Sequence, residues 1–444
     1  MLHSFAALAV TPQLDTGTTA WLLISAALVL LMAPGLAFFY GGMVRSTSVL
    51  NMMMMVFGAL AVVTVVWVLV GYSIAFGDDL GLGLVGDPTQ YLGFAGMLAD
   101  DPAAAYPVTI FAIFQGLFAV ITVALIAGAI ADRTKFGTWL LFAGLWTVLV
   151  YAPVAHWIFD FSAGDHVGGW MANSLMAKDF AGGTAVEINS GAAGLAVALV
   201  LGKRIGFGRD PMRPHNLTLT MIGAGLLWFG WFGFNAGSAL AANNLAAIVF
   251  VNTLLAGCTG LLAWLLVEKL RDGHATSFGA ASGVVAGLVA ITPACGFVTP
   301  IGAMLVGITA GAICSLAIGL KYKLGYDDSL DVVGVHLVGG LVGTIIIGLL
   351  ASKAVTDVDG LFYGGGVDQL GRQLVAAGAT FAFSFIATAL LAIALEKTIG
   401  FRVHEDDEAS GVDLVLHAET AYDLHASTGG ARPHVGHGSG TLLP

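Results

Sequence analysis

The sequence predicts an all-α polytopic membrane protein, with eleven transmembrane helices arranged as an inverted 5+5 pseudo-twofold repeat plus an eleventh helix. Apolar residues make up 57% of the 444 residues and charged residues only 10%, whereas a soluble protein carries about 25% charged residues. Glycine contributes 61 residues, about twice its usual frequency of roughly 7%. Small residues let membrane helices approach one another closely.

Apolar runs long enough to cross a hydrocarbon core of about 30 Å recur along the whole chain. Polar loops separate them, and the eighth run is the shortest. The predicted spans are 19–42, 49–76, 105–131, 136–158, 181–202, 217–240, 245–268, 275–293, 300–320, 332–351 and 373–398.

Basic residues are concentrated in one set of alternate loops, which predicts the orientation of the chain. The opposite loops hold only Lys178, Lys353 and Arg372. We therefore expect a multi-pass protein of the plasma (inner) membrane with its N-terminus outside and its C-terminus in the cytoplasm. The basic residues of the cytoplasmic set are Arg45, Arg133, Lys135, Lys203, Arg204, Arg209, Arg213, Lys269, Arg271, Lys321, Lys323, Lys397 and Arg402.

Five helices per repeat is an odd number, so a second repeat enters the membrane from the opposite side, a layout common in transporters. After a tail that is first acidic and polar, the chain becomes rich in glycine and histidine without periodicity, which is typical of disorder. The predicted units are an external N-terminal arm (1–18), the first repeat (19–202), the second repeat (203–351), the eleventh helix (373–398), an ordered cytoplasmic tail (400–424) and a disordered tail (425–444).

Two ionisable residues lie inside predicted spans and are candidates for function. Glu187 is in the fifth span and His336 in the tenth, and an ionisable group in hydrocarbon is costly enough to suggest a functional site. Each lies on the last helix of its repeat, a few residues after an aspartate, Asp179 or Asp331, suited to capping that helix. The alternative is that both are structural groups, bonded to backbone inside the bundle.

Aromatic residues offer a second candidate site. Phe114 and Phe118 lie on one face of the third helix. Near the end of the sixth helix, Trp231 and Phe234 precede Ser238. Aromatic faces attract small cations, and a serine oxygen can accept a hydrogen bond from one. The alternative is a belt of aromatic residues anchoring the helices at the membrane interface.

Other classes of function lack their sequence features. The chain has no phosphate loop of Walker type, no metal-binding histidine pair at helical spacing and no nucleophile elbow. Cys258, Cys295 and Cys314 show no paired or metal-ligand spacing. We therefore expect no enzyme activity, no metal and no cofactor, and the net charge of −11 implies no nucleic acid partner.

Five motifs in order resemble the ammonium transporter family, which is related to the Rhesus glycoproteins: LLMAPGLAFFYGGMVR, DFAGGTAVEINSG, GWFGFNAGSA, ASGVVAGLVAITPACG and DVVGVHLVGG. The resemblance covers about 15–424. It implies a homotrimer with one pore per subunit, and a tail that works alongside P-II signalling proteins.

The resemblance also implies roles for individual residues. Phe118 and Ser238 match positions lining an outer ammonium recruitment site, and Phe118 and Phe234 match a phenylalanine gate. Asp179 matches an aspartate needed near that site, and His336 matches the second of two pore histidines.

The chain departs from the family pattern at two positions. Glu187 stands where most members have the first pore histidine, although a subset has glutamate there. Phe159 stands where the recruitment tryptophan is usual, so the cation–π wall is weaker or Trp170 folds back to supply it.

The sequence thus predicts transport of ammonium, with methylammonium as an analogue. In this interpretation the ion is recruited at the outer aromatic site and deprotonated, and ammonia passes Glu187 and His336. Two alternatives remain open: an ammonium sensor that signals through its tail, and a Rhesus-type channel for ammonia or carbon dioxide.

Overall fold

The computed structural model describes residues 14–99 and 104–422, and eleven of its helices are long and apolar enough to cross a membrane. The predicted number of spans is confirmed, and the described residues form no β-strand. The helices are α1 (Thr16–Met43), α2 (Val49–Phe76), α3 (Val108–Ile130), α4 (Phe136–Phe159), α5 (Gly183–Leu201), α6 (Leu217–Gly237), α7 (Asn244–Asp272), α8 (Ser277–Ala294), α9 (Pro300–Leu324), α10 (Val333–Leu350) and α11 (Asp368–Thr398).

Helix α11 shows why an apolar run underestimates a span. It begins at Asp368, before the predicted start at 373, and Gln369 in its first turn is buried and donates to the side chain of Gln373 at 2.9 Å. The side-chain amide of Gln373 donates to the carbonyl of Lys178 at 2.7 Å and to that of Thr344 at 3.1 Å. Burying an amide costs little free energy when the amide is hydrogen-bonded. The helix can therefore include polar residues that a search for apolar runs leaves out.

Three predicted segments lie wholly or partly outside the described residues, one of them the predicted ordered tail, 400–424, whose last two residues are not described. Residues 1–13 of the predicted arm are among them, and α1 begins at Thr16, capped by the carboxylate of Asp15. The predicted disordered tail, 425–444, also lies outside the described residues.

The first helices of the two repeats, α1 and α6, pack along each other through glycine. A Cβ added at Gly223 of α6 would lie 2.2 Å from the backbone nitrogen of Phe39 in α1. One added at Gly35 of α1 would lie 3.1 Å from the backbone nitrogen of Leu227. The backbones therefore meet directly, as small residues permit in membranes.

Buried ion pairs tie the loops together at one face of the bundle, which we call the tail side. Arg204, between the two repeats, donates to Asp327 at 2.9–3.0 Å and to Asp132 at 2.9 Å. Arg133 donates to the carbonyl of Asp327 at 2.7 Å. Burial would lower the pKa of Arg204, but its two carboxylate partners outweigh burial and raise it, so the guanidinium stays charged.

The tail folds into two short helices, α12 (Glu405–Ser410) and α13 (Val412–His417), which pack on this face. The carboxylate of Asp413 accepts from the backbone N–H groups of Leu50 and Asn51 at 3.0 and 2.7 Å. Ser48, at the N-cap of α2, makes no side-chain capping bond. The tail therefore supplies the cap that the first turn of α2 lacks.

The glycine contact between α1 and α6 makes a prediction about stability. We expect Gly223→Ala to destabilise the fold by about 1–3 kcal/mol, because the methyl group would overlap the backbone of α1. Thermal unfolding of the purified protein in detergent measures the change. Gly378→Ala on α11 is the matched control, since nothing lies within 4 Å of that added Cβ; equal midpoints for the two variants would contradict the prediction.

Candidate functional site

Helix α5, which carries Glu187, begins on a buried aspartate. The carboxylate of Asp179 accepts from the backbone N–H groups of Gly182, Gly183 and Thr184 at 2.7, 2.8 and 2.7 Å. It also accepts from the hydroxyl of Thr184. These bonds satisfy N–H groups of the first turn that have no acceptor within the helix. Asp179 therefore caps α5, as expected.

Helix α10, which carries His336, begins in the same way but on a different residue from the expected one. Asp328 accepts from the N–H groups of Val332 and Val333 at 3.1 and 2.7 Å. The expectation that Asp331 caps this helix is wrong: its carboxylate pairs with the ammonium of Lys321 at 2.7 Å. Asp331 has a φ of +65° and occupies the position of Gly182, whose φ is +119°, so it forms the turn itself.

The corrected cap makes the two halves of the site equivalent. Asp179 precedes Glu187 by eight residues, and Asp328 precedes His336 by eight. Both helices begin with a π-helical turn, Gly183–Ile188 and Val333–Leu337, a feature that is rare and frequent at functional sites.

Glycines let α5 and α10 cross at these turns. A Cβ added at Gly191 would lie 2.4 Å from the backbone nitrogen of Leu337, and one added at Gly340 would lie 2.8 Å from the Cβ of Glu187. The two glycines are each four residues beyond the site residue of their own helix. The crossing therefore brings the two site residues to the same place.

Glu187 and His336 form a hydrogen bond at the centre of the bundle. The Oε2 atom of Glu187 lies 2.7 Å from Nδ1 of His336, and the two residues are 1% and 4% exposed. Such a pair shares one proton, with the imidazole N–H donating to a carboxylate or a carboxyl O–H donating to the ring nitrogen.

A vestibule of about 600 Å³ opens on the side opposite the tail. It contains all four residues predicted to recruit substrate, Phe118, Phe159, Asp179 and Ser238. The hydroxyl of Ser238 donates to the carbonyl of Phe234 at 2.8 Å. Its oxygen keeps lone pairs that can accept from a ligand.

Two stacked rings close the floor of the vestibule. The rings of Phe118 and Phe234 have centroids 4.0 Å apart and an interplanar angle of 18°. Phe118 lines the vestibule, while Phe234 lines the cavity beneath it. The pair predicted as a gate therefore stands between the two spaces.

Below the rings lies a narrow apolar pore of only about 10 Å³, which is room for no more than about one water. The polar groups of Glu187 and His336 stand among aliphatic and aromatic side chains. The other residues that line it are Met32, Leu36, Phe39, Ile121, Leu125, Val186, Leu227, Trp231, Phe234 and Val285.

Trp170 does not line the vestibule. Its ring packs on Trp157, with centroids 5.9 Å apart, at a one-turn helix, Trp170–Asn173, within the loop after α4. The alternative in which Trp170 folds back to supply the cation–π wall is thus not what the structure shows. Phe159 and Phe161 are the aromatic residues from this part of the chain that line the vestibule with Phe118.

Two residues near the site were missed in the sequence. Asp328 is detectable from the shared spacing of eight residues to Glu187 and His336. Asp160 lies directly after Phe159 and lines the vestibule, and a carboxylate beside an expected cation site is the signal that points to it.

Comparisons with known proteins agree along nearly the whole chain. A profile described as Ammonium Transporter Family matches residues 20–422. The "Ammonium transporter" of Mycobacterium tuberculosis (strain ATCC 25618 / H37Rv) is 56% identical over 94% of this chain and 93% of its own. That of Bacillus subtilis (strain 168) is 45% identical over 92% and 99%.

Solved structures give the same picture. Saccharomyces cerevisiae Mep2 is similar with a TM-score of 0.81 and 34% identity, covering 89% of both chains. A structure described as "Sensor Amt Protein" is similar with a TM-score of 0.83 and 27% identity, covering 90% of this chain and 98% of that one.

The cap of α5 makes a prediction about the integrity of the site. We expect Asp179→Ala to lower stability by at least about 2 kcal/mol, because it leaves three buried N–H groups without their acceptor. Thermal unfolding in detergent measures it, with Asp165→Ala, which removes an exposed carboxylate, as the control. A midpoint for Asp179→Ala that matches the control would show that the cap contributes little.

Proposed function

The chain belongs to the ammonium transporter family, and from that premise we propose that it carries ammonium across the plasma membrane by splitting it into ammonia and a proton. Its relatives are named as transporters, not enzymes. In the proposed route the ion is recruited in the vestibule and deprotonated there, and ammonia passes the Phe118–Phe234 rings and the Glu187–His336 pair.

The single observation that carries this proposal is the sequence of spaces along one path. A wide aromatic vestibule, a closed pair of rings and a narrow apolar pore with one polar pair follow one another. Moving a bare cation into such a pore has a large desolvation free energy. A neutral molecule of the size of a water has a much smaller one.

Recruitment rests on Phe118, Phe159 and Ser238. The two rings present faces that attract a cation, and the Ser238 oxygen accepts an N–H from it. When ammonium loses its proton the N–H bond pair stays on nitrogen and the proton passes to water in the vestibule. Ammonia then needs only the rings to move apart in order to enter the pore.

Inside the pore, Glu187 and His336 form a coupled pair. Their 2.7 Å contact means that the two groups share one proton. The pair offers ammonia an acceptor and a donor in a cavity that is otherwise apolar, and it holds a proton without leaving a lone charge in hydrocarbon.

We further propose an orientation, an assembly and a partner. The tail side carries the Arg204 and Arg133 network and most basic loop residues, which supports a cytoplasmic location and leaves the vestibule outside. Family membership supports the proposal of a homotrimer and of a cytoplasmic P-II signalling protein at the tail.

A second candidate function is ammonium sensing through the tail. It is supported by the bonds from Leu50 and Asn51 to Asp413, which join the tail to a spanning helix, and by the likeness to a structure described as a sensor. A Rhesus-type gas channel has less support, because the aromatic faces of Phe118 and Phe159 and the Ser238 oxygen suit a cation, which a neutral gas does not require.

Uptake of methylammonium into liposomes tests the proposed function directly. We expect the purified wild type to conduct, and His336→Ala to lower uptake by at least about tenfold, because it leaves Glu187 buried without its partner. The control is His274→Ala, which removes an exposed histidine. Binding without uptake by the wild type would favour the sensor.

The identity of residue 187 makes a separate prediction. We expect Glu187→His to keep transport but to shift the dependence of uptake on pH, since an imidazole pair holds its proton differently from a carboxylate–imidazole pair. Uptake by wild type and variant between pH 5 and 8 in a transport-deficient host, corrected for surface expression, measures it. Superimposable pH profiles would indicate that Glu187 has only a structural role.

A further inference from the structure

The vestibule wall holds a carboxylate that the proposed route does not use. Asp160 ends α4 directly after Phe159 and lines the same cavity as Phe118 and Ser238. It is 5% exposed. Asp179 lines the cavity as well, but its oxygens accept four hydrogen bonds at the start of α5.

Asp160 is linked to histidines rather than to a lysine or arginine. Nε2 of His166 lies 2.9 Å from its Oδ1, and Nδ1 of His156 lies 3.2 Å from its Oδ2. The other nitrogen of His166 lies 2.6 Å from Oδ1 of Asp78. One imidazole thus bridges two carboxylates, both of which line the vestibule.

With Asp160 ionised, the net charge of this wall is negative. With His166 protonated, one positive charge faces the charges of Asp160 and Asp78, and deprotonation of His166 only increases the excess. Aromatic faces line the same cavity, those of Tyr72, Phe76 and Phe111 among them. Carboxylate charge and aromatic faces in one cavity are the chemistry that attracts a small cation.

We propose that Asp160 is a further substrate-recruiting residue, whose carboxylate supplies the electrostatic attraction for ammonium in the vestibule. This inference rests on the proposed function. It concerns a position adjacent to Phe159, where the chain lacks the tryptophan that the family resemblance leads one to expect. His166 acts on the substrate through Asp160, because its positive charge offsets part of the attraction.

The surroundings of Asp160 also make the attraction depend on pH. Burial raises the pKa of Asp160 to about 6, against the opposing hydrogen bond from His166. Burial alone would lower the pKa of His166, but the bonds to Asp160 and Asp78 outweigh it and raise the pKa. The titratable groups that face Asp160 are His156, on its own helix, His166, Asp78, Asp79 and Tyr72.

The sign of the dependence follows from these shifts. Below about pH 6 the carboxyl of Asp160 is protonated and its attraction is lost. As the pH rises through about 6 the carboxylate forms, and the later loss of the His166 proton can only make the wall more negative. The half-saturating concentration of a substrate that reaches the vestibule as a cation throughout this pH range should therefore fall as the pH rises.

Methylammonium uptake by proteoliposomes tests the proposal, because methylammonium in the bulk solution is a cation throughout the range from pH 5 to 8. We expect Asp160→Asn to raise the half-saturating concentration at pH 7.5 by about threefold to tenfold, with a small change in maximal rate, from the loss of one charge across a solvated cavity. The fall of this concentration through about pH 6 should also disappear. Asp165→Asn, an exposed residue of the same loop, should match the wild type.

His166→Gln separates attraction from loop structure. If Asp160 acts by charge, removing the imidazolium lowers the half-saturating concentration or leaves it unchanged, opposite to Asp160→Asn. If His166 and Asp160 only clasp the loop, both variants raise it, and Asp160→Glu fails to restore the pH dependence. That result, or a wild-type value that does not change with pH, would overturn the proposal, whereas absence of uptake by the wild type would overturn the proposed function instead.

Discussion

A carboxylate in the interior of a membrane protein needs a hydrogen-bond partner that cannot leave, and the central architecture of this chain serves that need. Glu187 finds its partner in His336, from the other repeat, at 2.7 Å. The contact requires α5 and α10 to cross with their backbones nearly touching, which only Gly191 and Gly340 allow. It also requires both helices to begin shortly before the pair, where Asp179 and Asp328 accept from the N–H groups of the first turns.

The path through the protein is built from unequal spaces around this pair. A vestibule of about 600 Å³ narrows to a pore of about 10 Å³ beneath two stacked rings. In the proposed route, the wide space keeps a cation hydrated while aromatic and acidic groups concentrate it, and the narrow space removes its water. Selection in such a path depends on the free energy of removing a proton from the ion. It therefore needs few contacts that are specific to one ligand.

Much of this arrangement was readable in the sequence, because membrane constraints act on composition and spacing. The eleven spans follow from apolar length, and Glu187 and His336 stand out because ionisable residues are costly in lipid. The sequence predicted Asp331 as the cap of α10, because it also lies shortly before the helix. The structure shows Asp331 in the turn, with a φ of +65°, and Asp328 as the acceptor of the N–H bonds. The stacking of Phe118 on Phe234 and the packing of Trp170 on Trp157 depend on contacts between distant helices, which no local pattern specifies. The sequence does not indicate Asp160, because the side chains around it come from three separate loops and helix ends.

The equal spacing of Asp179–Glu187 and Asp328–His336 has a consequence for the direction of flow. Two half-paths related by a twofold axis in the membrane plane present the same backbone geometry to a molecule arriving from either face, so the central pore contains no valve. In the proposed route, net movement follows the difference in chemical potential, and a cell whose internal store exceeds the supply outside would lose that store by the same path. Retention then requires that the path be closed at one end, and the tail that caps α2 lies at one of the two ends.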